Sequence, residues 1–294
     1  AEKMEMPPHL LDGDINTAAG PIPRIRSELK TIDKLGALRV RLGINRDRYL
    51  VKPGLYGIGN PDPKSPVLVT ANYKLTFDIL RKELSGNDAW VLVLDTMGIN
   101  VWCAAGKGTF STDELVNRIR TTELEKIVDH RQLVLPQLSA TGVVGFQVKK
   151  ESGFRVVWGP IRATDIKAFL ESGLKTQKEM RQLTFTLAER VVLVPVEISA
   201  MIKPVLIAIA LLAVLLGIGY AVFDTIDVLF KGVLVLAVLA SGTIAGAVVA
   251  PILLPWIPGR FFSFKGFATG VIIGSGVAFL LSKQNILEFS AVIL

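Results

Sequence analysis

The apolar residues of this chain follow two rhythms, and the change comes at about residue 203. Before it, short apolar runs alternate with helical patterns. Residues 67–70 read as a strand and 75–84 as a helix. Residues 90–95 are apolar almost throughout, the mark of a strand buried on both faces. A helix over 112–120 follows, with Ser111 placed as its N-cap and Glu114 three residues later. Further strands at 133–135, 154–158 and 191–196 alternate with helices that start near Val143 and Thr164. Such alternation predicts a Rossmann-like α/β domain, a parallel sheet with helices on both faces. The strand–helix loops 70–74, 96–111, 139–142 and 159–163 then share one edge of the sheet. Residues 1–65, rich in Pro, Gly and charge with one helix-like stretch at 24–38, read as an N-terminal extension.

Beyond residue 203 the rhythm gives way to long uncharged runs at 204–223, 232–259 and 266–282, with a last apolar run at 289–294. A spanning helix needs about 20 apolar residues. The pattern therefore predicts an α-helical transmembrane domain over 201–294, with three full spans and the start of a fourth. The spacings Gly242-x-x-x-Gly246 and Gly266-x-x-x-Gly270-x-x-x-Gly274 allow close helix packing. No ionisable group falls at mid-membrane depth, which speaks against ion-coupled transport.

Charge sharpens this division. The chain holds 33 basic and 26 acidic residues, and beyond residue 203 only Lys231, Arg260, Lys265, Lys283, Asp224, Asp227 and Glu288 are charged. The positive-inside rule places the leading domain and loop 260–265 in the cytoplasm. The expected location is thus the inner (cytoplasmic) membrane, multi-pass. The basic balance carries no aromatic–basic stripe, which excludes nucleic acid and suits an acidic partner.

Candidate chemistry centres on Cys103, the single cysteine of the chain. One sulfur builds neither a disulfide nor an iron–sulfur cluster, so it acts alone or as one ligand of a metal held otherwise. It lies between a strand's carboxyl end and a helix, where open α/β sheets place ligands. Asn100 is positioned to cap a short turn through Ala105, which puts the thiol in the first turn of a helix, beside Lys107. The alternative is a small buried hydrophobe. Residues 105–109 suggest a phosphate loop, but Val101 stands where its first glycine belongs and Gly108 where the metal-binding hydroxyl belongs. His9 and His130 are the only histidines, and His130 precedes a strand, at the sheet edge opposite the cysteine. The loops are poor in acids and histidines, which argues against hydrolysis.

The run Asn100-Val101-Trp102-Cys103-Ala104-Ala105-Gly106-Lys107 resembles the signature of the mercury-methylating corrinoid protein family. Segments 67–73, 136–142 and 187–197 resemble the corrinoid domain of the related corrinoid iron–sulfur protein. The resemblance implies a corrinoid-binding domain over 66–200 that carries a cobalamin. Cys103 would be the lower axial ligand of cobalt and the catalytic residue, with Asn100, Val101, Trp102, Ala104, Ala105, Gly106 and Lys107 forming the cap beneath the ring. Thr70, Asn72, Tyr73, Ser139, Ala140, Thr141 and Gly142 would touch the corrin or its nucleotide tail. The implied activity is a corrinoid-dependent methyltransferase that passes a methyl group, as a carbanion equivalent, to Hg(II). A non-catalytic corrinoid-binding membrane scaffold or sensor is the alternative. The resemblance further implies a methyl donor of folate type acting through a methyltransferase. With no iron–sulfur cluster on this chain, it also implies a ferredoxin-like partner with two [4Fe–4S] clusters that supplies electrons and Hg(II).

Overall fold

A computed structural model describes residues 6–222 and 225–293. They form two compact units, one running to Val40 and resuming over Asn45–Thr184, the other made of Arg41–Ile44 and Phe185–Leu294. The first unit holds strands β1 (Leu11–Thr17), β2 (Gly20–Ile25), β3 (Gly54–Ile58), β4 (Val67–Ala71), β5 (Ala89–Leu94), β6 (Gln132–Leu135) and β7 (Arg155–Trp158). Its helices are α1 (Thr31–Arg41), α2 (Lys74–Glu83), α3 (Val101–Lys107), α4 (Thr112–Thr121), α5 (Gly145–Ser152) and α6 (Ile166–Glu171).

The sheet runs β1-β2-β3-β5-β4-β6-β7. Strands β5, β4, β6 and β7 are parallel, as the alternation requires. The expected all-parallel sheet is corrected at its other end. There β3 lies antiparallel to β5, pairing Gly54 with Val93 through Ile58 with Ala89, and β1 and β2 form an antiparallel hairpin. Residues 11–58 thus extend the sheet, although little in their Pro- and Gly-rich sequence marks them as strands. The stretch 24–38 divides between the end of β2 and the start of α1.

Alternation along each strand sorts the core into two layers. Val67, Val69, Leu92, Leu94, Leu133 and Leu135 pack against Val101, Ala104, Leu115, Ile119 and Val148 of α3, α4 and α5. Leu68, Val91, Val93 and Val134 face Phe77, Leu80, Ile166 and Phe169 of α2 and α6.

A buried ionic cluster ties α1 to α2. Asp33 is 2 % exposed. Its carboxylate lies 2.6 Å from Lys74 Nζ, 2.8 Å from Arg81 Nη2 and 2.9 Å from His9 Nε2. Asp78 accepts from Lys74 Nζ at 2.6 Å and from Arg81 Nε at 2.8 Å. Arg81 also donates to the Arg26 and Glu28 carbonyls, which fastens the chain leaving β2. Burial alone would raise the Asp33 pKa. Hydrogen bonds from Lys74 and His9, with the charges of Lys74 and Arg81, outweigh it and hold the group well below the usual carboxylate range.

The second unit holds α7 (Leu187–Val191), α8 (Val194–Val222), α9 (Thr225–Ile244), a π-helical segment Ala245–Val249, α10 (Ala250–Leu253) and α11 (Phe262–Ile293). The expected strand at 191–196 is instead the junction of α7 and α8, because its valines lead straight into a long apolar helix and Pro195 fits a helix's first turn. The run at 289–294 is no fourth helix, since residues up to Ile293 continue α11, and Leu294 lies outside the described residues. Likewise 225–231 belongs to α9, and Asp224 lies outside the described residues. Three helical stretches, Leu187–Leu215, Val235–Leu253 and Phe262–Leu280, are long and apolar enough to cross a membrane by length and composition.

Replacing one member of a buried charge cluster leaves the others uncompensated, which typically costs ~3–5 kcal/mol. Asp33→Asn is expected to lower stability by that order in urea unfolding. Because the folded pKa is depressed, the stabilisation is complete above the unfolded carboxylate value near ~4 and is lost as pH falls below it. The unaltered chain should therefore weaken below about pH 4, and Asp33→Asn should show a flatter acid limb.

Candidate functional site at the carboxyl edge of the sheet

The connection leaving β4 enters α2 on one face of the sheet, while the one leaving β6 enters α5 on the other. The two strands are registered at one pair, Leu68 with Val134, against five pairs between β4 and β5. Their carboxyl ends thus open into a crevice at the point where the winding reverses, the place where open α/β sheets bind ligands. A largely apolar cavity of about 330 Å³ occupies it, lined by Thr70 from β4, Leu135 from β6, Gly159 and Ile161 after β7, and Asn100 and Trp102 beside α3.

Asn100 caps α3 as expected. Its Oδ1 accepts the Cys103 N–H at 2.9 Å, and Gly108, in the left-handed conformation at φ 80°, ends the helix one residue after Lys107. Capping by Asn satisfies an end N–H that nothing else in the helix can reach. Cys103 falls in the first turn and is exposed, so the alternative of a buried hydrophobe is excluded. Trp102 next to it is 60 % exposed while still lining the cavity. Val101, Ala104 and Ala105 turn inward to the core, whereas Gly106 and Lys107 face solvent.

The remaining candidates separate by role. Thr70 is buried and lines the cavity. Asn72 is fully buried and its amide is committed within the fold: Oδ1 accepts from Thr96 N, Thr96 Oγ1 and Gly98 N at 3.1, 2.8 and 2.9 Å, and Nδ2 donates to Asp95. Tyr73 is buried and its backbone bridges Leu50. Ser139 is buried and donates to the Pro136 carbonyl. Ala140 and Thr141 are exposed. Gly142 abuts α3: a Cβ there would collide with the Phe110 carbonyl oxygen and lie 2.9 Å from Ala105 Cα. The structure thus gathers Thr70, Asn100, Val101 and Trp102 around the cavity, leaves Cys103 exposed on the same helix but outside the cavity's lining, and ties Asn72, Ser139 and Gly142 to neighbouring backbone.

Gln137 escaped the sequence reading. Its Oε1 is buried without a hydrogen-bond partner, in the loop whose Pro136 and Leu138 line the cavity. Its place in the resembling segment 136–142 was the available signal. His130 lies on the opposite edge and bonds the Ser65 carbonyl through Nε2 at 2.9 Å. Among the described residues, no group of three or more His, Cys, Asp or Glu could hold a metal ion.

Fold and site together define an α/β domain with an apolar cavity at its switch point and one exposed thiol on the adjoining helix, followed by an apolar helical unit. The family model for the CO dehydrogenase/acetyl-CoA synthase delta subunit matches residues 34–170. The chain is 38 % identical over 128 residues to an acetyl-CoA decarbonylase/synthase complex subunit gamma of Methanopyrus kandleri, covering 43 % of this chain and 27 % of the relative. The gamma subunits of Archaeoglobus fulgidus and Methanocaldococcus jannaschii are 36 % and 33 % identical over 123 and 143 residues. These alignments take in 41 % and 47 % of this chain against 26 % and 29 % of the relatives. The chain thus spans little more than a quarter of the length of the curated relatives it matches.

These findings correct the mercury-methylating family, and with it the methyl transfer to Hg(II), the mercury-methylating enzyme and the ferredoxin-like partner. The relatives are named as subunits of an acetyl-CoA decarbonylase/synthase complex. The physical reason is the small reach of the motif. Residues 100–107 specify a capped, packed turn of helix and say nothing of what accepts a group from it, whereas the family match takes in β3 to β7. The multi-pass inner-membrane location and the membrane scaffold are corrected with it, the relatives being named as subunits of a complex. What stands of that expectation is the length and apolarity of three helical stretches.

Gly142→Ala tests the close approach of loop 139–142 to α3. Overpacking a filled site typically costs ~1–3 kcal/mol. The variant should lose stability of that order by thermal unfolding and raise the reactivity of Cys103 toward a thiol reagent.

Proposed function

We propose that the α/β domain binds a corrinoid at its carboxyl edge, with Cys103 as the axial ligand of cobalt, and serves as a methyl-carrying module in an assembly of the acetyl-CoA decarbonylase/synthase kind. The observation that carries the reading is the exposed Cys103 on a capped helix beside an apolar switch-point cavity. A corrinoid brings four nitrogen donors of its own, so one soft thiolate completes what the protein must supply. That matches a site with a single thiol and no cluster of further ligands among the described residues. The apolar cavity suits a planar organic group, and Gln137 Oε1 offers a free acceptor to the amide N–H groups such a macrocycle carries.

A corrinoid supplies carriage of a methyl group on cobalt. The protein's part is positional. Asn100 fixes the first turn of α3 and so the place of Cys103. Val101 and Ala104 anchor that helix in the core, and Trp102 stays largely exposed while lining the cavity. Thr70, Asn100, Val101 and Trp102 line the cavity and would hold the corrinoid there, and the exposed Ala140 and Thr141 would be available to it. The relatives' printed name fits this role: removing a carbonyl from an acetyl group leaves a methyl, so such an assembly needs a methyl carrier. The carrying unit of this proposal is the α/β unit that ends at Thr184, its sheet completed by β1, β2 and β3, and the helices from α7 onward are additional to it.

Reconstitution with hydroxocobalamin tests the reading. The unaltered chain should take up the cofactor and show thiolate-to-cobalt absorbance, and Cys103→Ala should lose that band while still binding more weakly. An unchanged spectrum in Cys103→Ala rejects the axial role, and absence of uptake by the unaltered chain rejects the corrinoid.

A further inference from the structure

The turn between β5 and α3 contains residues 95–100, and its geometry decides where Cys103 stands. Asn72, just past the end of the neighbouring strand β4, accepts on its single Oδ1 the Thr96 N–H, the Thr96 hydroxyl and the Gly98 N–H, and returns its own N–H to Asp95 Oδ1. Glu114 accepts the Asp95 N–H at 2.8 Å, and within the turn Met97 N–H donates to Asp95 Oδ1 and Ile99 N–H to the Thr96 carbonyl, both at 3.1 Å. The Thr96 hydroxyl also lies 2.7 Å from the Ile99 carbonyl oxygen. Met97 and Gly98 take left-handed conformations at φ 56° and 71°, a tight reversal that a residue such as Met adopts only under constraint. Asn72 and Thr96 are both 0 % exposed, so water cannot replace these bonds. Asn100 follows at once and caps the helix that presents the thiol.

We infer that Asn72 is a positioning residue for Cys103: through Thr96 and Gly98 it sets the turn from which α3 starts, and so the height of the thiol at the carboxyl edge. Asn72 does not touch the ligand. Its one acceptor oxygen already holds three donors, and the cavity wall beside it is built by Thr70. Thr96 is the intermediary: its N–H donates to Asn72 Oδ1 while its carbonyl accepts from Ile99 N–H, and its one hydroxyl hydrogen is shared between Asn72 Oδ1 and the Ile99 carbonyl. The inference rests on the thiol being the working group of the site, as proposed above. It adds that the register of that thiol is dictated from β4, a strand away.

The test uses the full chain and two readouts. In amide hydrogen exchange, Asn72→Leu and Thr96→Val should speed exchange over 96–103 by ~10-fold while β4 and β5 keep their protection. Thr96→Ser, which retains the hydroxyl, should restore it. With hydroxocobalamin added, Asn72→Leu should move the cobalt absorbance toward that of Cys103→Ala and weaken uptake by ~10-fold, and Thr96→Ser should match the unaltered chain. Unchanged exchange over 96–103 in both variants overturns the inference. So does a uniform loss of protection across the sheet in both, which would make Asn72 a residue of the fold as a whole. If the unaltered chain takes up no cobalamin, the corrinoid reading falls and the exchange measurement alone decides the role of Asn72.

Discussion

A carboxylate removed from water stays charged only if the fold surrounds it with compensating donors, and Asp33 is the place where this fold does so. Its partners come from far apart in sequence: His9 from the N-terminal segment, Lys74 and Arg81 from successive turns of α2. The cluster therefore settles where α1 and the chain after β2 lie against the sheet. It also settles the start of α2, because Lys74 is that helix's first residue. The position two before Lys74 is Asn72, whose amide holds the turn after β5. Residues 72–74 thus send one side chain toward the ionic cluster and another toward the carboxyl edge. Between them, Tyr73 bridges Leu50. The fold and the candidate site share this short exit from β4.

Two constraints then meet on α3. From the β4 side, Asn72 sets the turn that leads into the helix. From the β6 side, Gly142 brings backbone against Ala105 and Phe110 so closely that no side chain fits. A seven-residue helix has little stability of its own, since nucleation costs more than so few bonds return. Its order comes from tertiary contact, through Val101, Ala104 and Ala105 in the core, together with its cap. That arrangement leaves the opposite face, with Trp102 and Cys103, exposed without loosening it.

Much of this was legible in the sequence where the signal is local. The buried strands β4, β5 and β6 announce themselves by unbroken apolar runs, and Asn100 and Ser111 announce the helices they cap. Strands β1 to β3 did not, because Gly13, Pro21, Pro23 and Gly57 interrupt the alternation and β3 pairs with β5, distant in sequence. The valines at 191–196 misled for the reverse reason. Their strand preference is a weak prior, and continuity with an apolar helix overrides it. At the site, Asn72, Ser139 and Gly142 were correctly drawn to the carboxyl edge, but their roles were not legible. Whether an amide faces a ligand or a turn depends on a partner 24 residues away, as Thr96 is from Asn72.

The same distinction explains why an eight-residue motif pointed to the wrong acceptor. Residues 100–107 encode a presentation device, a capped helix with its thiol outward, and any chemistry that needs one soft ligand at a switch point can use it. What the carried group is passed to depends on the surface that docks over the thiol, which lies outside those residues. The family match begins at Lys34, directly after Asp33, and ends at Leu170 in α6. It therefore takes in α1 from Lys34 onward, Lys74, Asp78 and Arg81 of the ionic cluster, the parallel strands and the clamped helix. It leaves out the β1–β2 hairpin and the second unit from Phe185 onward. The matched portion contains Asn72, Thr96, Asn100 and Gly142, which position α3 and its thiol, whereas Asp33 and His9, which fix α1 against α2, lie outside it.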